Sequence, residues 1–69
     1  MDQKEGDAMK VSELIRLAKK KGCHLLEHGS RHDIWINPST GRIAEIPRHQ
    51  SAELPTGTAN KIMKDLGLK

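Results

Sequence analysis

The run Gly29-Ser30-Arg31-His32-Asp33-Ile34-Trp35 sets an imidazole directly after a Gly-Ser turn, at the first position of an apolar run that reads as a strand. A second strand-like run closes in Ile46-Pro47-Arg48-His49. A titratable ring on the lip of a rigid strand, with arginines nearby, suits acid–base chemistry on a phosphate ester. Histidine fits either proton transfer because its ordinary pKa, about 6.5, lies close to neutrality. Gly29 and Ser30 are read as the turn that positions His32.

The other reactive residue types offer less. His24 and His28 are four apart, a spacing that places two metal ligands on one face of a helix, yet their segment reads as a strand. No helical pair of His, Asp or Glu converges with them, so no metal and no cofactor are expected. The single cysteine, Cys23, has no partner for a disulfide and no Cys-x-x-Cys companion for zinc. The apolar runs are far short of the ~20 residues that span a bilayer, and nothing resembles a signal peptide. A cytoplasmic protein without a membrane anchor is the expectation.

A chain of 69 residues that is 35% hydrophobic allows one domain with a small core. Trp35 is the only aromatic residue, so Leu, Ile, Val and Met must build that core. The formal charge is +3, which is compatible with nucleic acid and weak evidence for it. Lys19, Lys20 and Lys21 are read as complementing a helix dipole and aiding solubility; they could also touch a phosphate backbone.

Residues 1–8 are polar and aperiodic and read as a disordered leader, leaving 9–69 as the folded domain. Ser12 is the expected N-cap of a first helix, in which Val11, Leu14, Ile15 and Ala18 recur at helical spacing and Gly22 terminates. Cys23–His28 reads as a strand. In His32–Asn37, Ile34 and Ile36 share one face and Asp33, Trp35 and Asn37 the other. Pro38-Ser39-Thr40-Gly41 has turn chemistry, and Arg42–Ile46 returns as a third strand. After an irregular crossing over Pro47–Leu54, Thr56 is expected to cap a second helix carrying Ala59, Ile62, Met63 and Leu66 and ended by Gly67. The fold class is therefore α+β, in the order helix–strand–strand–strand–helix. Two helices pack on one face of a three-stranded antiparallel sheet, and the other face is left open.

This order and these residues resemble the HicA family of toxins. The resemblance covers Met9 to Lys69. It runs through the Ser12-Glu13-Leu14-Ile15 helix start, the Gly29-Ser30 turn with His32, and the Asn37-Pro38 hairpin. It continues through the Ile46-Pro47-Arg48-His49 strand exit to Pro55-Thr56-Gly57-Thr58, Ile62 and Leu66-Gly67-Leu68. It implies a fold like the double-stranded-RNA-binding domain, cleavage of messenger RNA, neutralisation by a HicB-type antitoxin, and an essential histidine that falls on His32. Two departures stand out. Many members read Gly-Ser-His or Gly-Gly-His where Arg31 intervenes here, and the common His-Pro of the hairpin is Asn37-Pro38, which argues against catalysis at that position.

RNA can be cleaved without a metal because its own 2′-hydroxyl attacks the neighbouring phosphorus. His32 would act as general base or acid, and His49 is the candidate for the second transfer because the third strand could bring it beside the second. Asp33 either orients His32 or sits solvated. Arg31, Arg42 and Arg48 are the candidate phosphate ligands. Trp35 has two readings: a platform that stacks an unpaired base on the open face, or the largest anchor of the core. Among other classes, the alternative to a ribonuclease is a non-catalytic RNA-binding domain of double-stranded-RNA-binding shape; a small protein-interaction domain using the open face is a third reading. The second helix start carries no Lys or Arg before Lys61, which counts against the RNA-binding module.

Overall fold

A computed structural model describes residues 8–68. The elements are β1 (Ala8–Lys10), α1 (Val11–Lys20), β2 (His24–His28), β3 (His32–Asn37), β4 (Arg42–Pro47), β5 (Glu53–Pro55) and α2 (Thr56–Asp65). Strands β2, β3 and β4 form an antiparallel sheet with β3 in the centre, while β1 and β5 pair antiparallel as a separate ribbon. The expected order of two helices and three strands holds, and the ribbon is an addition to it. Ala8 belongs to β1, so the expected leader is at least one residue shorter; its first seven positions lie outside the described residues.

Both helices bury the stripes that the periodicity marks. Val11, Leu14, Ile15 and Ala18 of α1 and Ala59, Ile62 and Met63 of α2 meet Trp35, Ala44 and Ile46 in one cluster. Trp35 pairs with Ala44, so the largest side chain faces one of the smallest across the strands. Each helix ends in a glycine at positive φ, Gly22 at 92° and Gly67 at 75°. The amides of Gly22 and Cys23 return to Lys19 and Ala18, and those of Gly67 and Leu68 to Lys64 and Met63, which satisfies the last carbonyls.

The helix starts differ from expectation, by two positions in α1 and by one in α2. Lys10, not Ser12, is the N-cap of α1, and Pro55, not Thr56, is that of α2. The first amides of α1 are occupied from outside: Val11 N–H donates to the Ala52 carbonyl at 2.9 Å and Ser12 N–H to that of Gln50 at 3.0 Å. The Glu13 carboxylate also accepts from the Lys10 amide at 3.4 Å. A loop carbonyl thus does what a capping side chain would otherwise do.

Candidate functional site: a groove between the open sheet face and the second helix

Alternation along β3 assigns each residue to a face. Asp33, Trp35 and Asn37 point toward the helices, opposite Ile46, Ala44 and Arg42; His32, Ile34 and Ile36 point away, opposite Pro47, Glu45 and Ile43. Trp35 is 6% exposed. Its place is in the core, and it presents no ring for a base to stack on. The parity was legible, but the isoleucines do not mark the buried face, because Ile34 and Ile36 are half-buried on the outer one.

The outer face is not a plain surface. Helix α2 lies along β4 and raises a wall beside it, leaving a groove of about 500 Å³. Thr58, Lys61, Ile62 and Asp65, one helical stripe, line the wall. His32, Glu45 and Pro47 line the sheet side, with aliphatic residues between. His32 thus stands exposed at one end of a concave site.

The turn that delivers His32 is held from two directions. The Gly29 amide donates to the His32 carbonyl at 2.8 Å. A Cβ on Gly29 would collide with that same carbonyl, so the close approach requires glycine. The Gly29 carbonyl in turn accepts from Nη2 of Arg48, whose Nε donates to Oδ1 of Asp33 at 3.1 Å. His28 completes the cluster, its Nδ1 lying 2.9 Å from Asp33 Oδ1. A carboxylate can only accept, so Nδ1 carries the hydrogen. The hydrogen bond from His28, and then that from Arg48 together with its charge, hold the Asp33 carboxyl below its usual range.

Asp33 therefore does not touch the His32 ring, which lies on the opposite face; it belongs to the clamp behind the turn. Arg48 likewise acts on the backbone of the turn. Arg42 sits at the far end of β3 and β4, about 17 Å from the His32 end at ~3.3 Å per residue, where its guanidinium donates to the Lys64 carbonyl at 3.2 Å. Arg31 is exposed in the turn beside His32. His49 lies past the end of β4, in a turn closed by Ala52 N–H onto its carbonyl, and does not line the groove. The structure thus brings His32 together with Pro47, Glu45 and Lys61, and leaves His49 and Arg42 outside.

Asn37 is the buried polar residue of the core face. Its Nδ2 donates to the Leu66 carbonyl at 2.7 Å, and its Oδ1 accepts from Ser39 N–H at 3.0 Å. It ties the β3–β4 turn to the end of α2, a structural role for the position that the departure from His-Pro had only marked as non-catalytic. Cys23 is buried and burial pushes its thiol pKa up, which disfavours the reactive thiolate. Among the described residues no three His, Cys, Asp or Glu side chains gather as a ligand set, and no helix is long and apolar enough to cross a membrane.

A small α+β domain with an exposed histidine at the end of a groove, clamped from behind, is the class of molecule that these features define. Residues 11–68 match the family model described as HicA toxin of bacterial toxin-antitoxin, and the chain belongs to that family. Comparison with curated proteins and with solved structures gives no match.

Proposed function

We propose that the protein is an endoribonuclease that cleaves single-stranded messenger RNA by histidine acid–base catalysis, and that a HicB-type antitoxin neutralises it. Membership of a toxin family supports the class of activity. The observation that carries the reading is the setting of His32: an exposed ring at the end of a groove, on a turn that a required glycine and an arginine clamp hold in place.

The chemistry follows from the substrate. The 2′-hydroxyl is the nucleophile, so the protein has to move two protons and offset the charge growing on the phosphate oxygens. A positioned imidazole contributes ~10²–10⁴-fold to such a step. Induced expression should arrest growth and degrade RNA, and His32→Ala should abolish both while the variant remains folded. Folded His32→Ala that cleaves at the wild-type rate removes His32 from the mechanism. Products should carry 2′,3′-cyclic phosphate or 3′-phosphate and 5′-hydroxyl ends, form in EDTA, and not form when the 2′-hydroxyl at the cleaved position is replaced by hydrogen. Activity lost in EDTA and restored by magnesium or zinc would overturn this route in favour of metal-assisted hydrolysis.

A further inference from the structure

Cleavage by the 2′-hydroxyl needs a base on one side of the phosphorus and an acid on the other, because attacking and leaving oxygens lie roughly in line. The two groups must therefore share one site without touching each other. The geometry points to Glu45 as the second proton-transfer group, with Lys61 as the cation that offsets the charge on the phosphate. This inference rests on the ribonuclease reading above and gives its groove a substrate: one phosphodiester of single-stranded RNA.

The sheet register carries the argument. His32 lies opposite Pro47, and Glu45 opposite Ile34, so His32 and Glu45 are diagonal neighbours on the same face. Such neighbours stand about 7–8 Å apart at the backbone, within reach of long side chains. Both residues line the same groove, and both are exposed. An acid and a base placed so can flank a phosphate lying between them. Glu45 is faced by His32 from β3 and by Lys61 and Asp65 from α2.

Lys61 answers the question of charge. Arg42 and Arg48 each donate to a backbone carbonyl, whereas Lys61 projects from the wall across the groove from His32. Its Nζ lies 3.0 Å from Oδ2 of Asp65 in an exposed pair. Exposed pairs of this kind are weak, and an ammonium has three donors, so Lys61 can turn to a phosphate oxygen without losing a costly bond. Its charge also offsets the repulsion between the Glu45 carboxylate and the incoming phosphate.

The step balances with these groups alone. Glu45 takes the proton from the 2′-hydroxyl as the 2′-O–P bond forms. The P–O5′ bond breaks, and the leaving 5′-oxygen takes a proton from the His32 imidazolium. The products are a 2′,3′-cyclic phosphate and a 5′-hydroxyl, and exchange with solvent returns Glu45 and His32 to their starting states.

The test measures cleavage of an RNA oligonucleotide by full-length wild type, Glu45→Gln, Glu45→Asp, Lys61→Gln and Lys61→Arg across pH. Glu27→Gln is the control. Glu27 lies opposite Ile34 on the other side of β3, on the same face as Glu45 but outside the groove. Glu45→Gln should lower kcat by about 10²-fold or more and abolish the acidic limb of the pH–rate profile. Glu45→Asp should keep that limb at reduced rate, and Glu27→Gln should match wild type. Lys61→Gln should lower kcat/KM by about 10-fold, with partial recovery in Lys61→Arg. If His32→Ala is inactive while folded Glu45→Gln keeps the wild-type rate and profile, the assignment of Glu45 is overturned and the ribonuclease reading stands. If wild type leaves RNA intact, both are overturned. Equal losses in Glu27→Gln and Glu45→Gln would reduce the effect to surface charge and also overturn the assignment.

Discussion

Arg48 carries five N–H donors, and the structure aims two of its nitrogens at the Gly29 carbonyl and the Asp33 carboxylate. A guanidinium that suits phosphate is thus engaged by the turn that carries His32. If its role is to position His32, Arg48→Ala should lower kcat about 10-fold and leave KM and the salt dependence of RNA binding unchanged. A phosphate ligand would instead raise KM and flatten that salt dependence. Arg48→Lys should rescue poorly, because one ammonium cannot reproduce the planar fork. The same cluster sets an acid response. Asp33 has a lowered pKa in the folded state, so its contribution to stability is complete above its ordinary value of 3.8 and fades as pH falls through the lower folded one. Thermal unfolding followed between pH 5 and pH 2 should show the loss beginning near that value, with a flatter profile in Asp33→Asn.

Asn37 joins two elements distant in sequence, the β3–β4 turn and the C-terminal end of α2. Truncation to Ala strands the Leu66 carbonyl, and a buried group left unpaired costs about 1–3 kcal/mol. The urea midpoint of Asn37→Ala should fall accordingly with an unchanged slope. Asn37→Asp should fall as well, since a carboxylate has no hydrogen to give to Leu66; a midpoint equal to wild type would show that the tie carries no net stability. The elements were largely legible because their signals are local. The 3.6-residue apolar stripes marked both helices, Gly22 and Gly67 marked their ends, and the 38–41 turn joined β3 to β4. The ribbon of β1 and β5 was not legible, because each strand has three residues and their pairing joins distant parts of the chain. The caps shifted for a similar reason: the amides of Val11 and Ser12 are met by loop carbonyls that no local pattern announces. At the site, the turn and His32 could be read from their residue types. The groove could not, since Glu45 and Lys61 come together only when α2 docks beside β4.

On the scale of the molecule, the net charge of +3 and the open groove favour an acidic partner, and the family supplies an antitoxin as its class. An antitoxin covering the groove should associate faster at low ionic strength, with the rate falling as salt is added. Hydrogen exchange should slow at residues 29–34 and along the groove-facing stripe of α2 in the complex. Binding that leaves these amides unprotected and short RNA still cleaved would mean that inhibition works by another route. The tie between Asn37 and Leu66 also bears on synthesis at the ribosome. It spans 29 positions, and α2 supplies the groove wall. A nascent chain halted before that helix holds His32 and Glu45 on a hairpin with neither its anchor nor the Lys61 wall. On the proposed reading the groove is therefore complete only after α2 has emerged, so a chain truncated before Thr56 should leave RNA uncleaved.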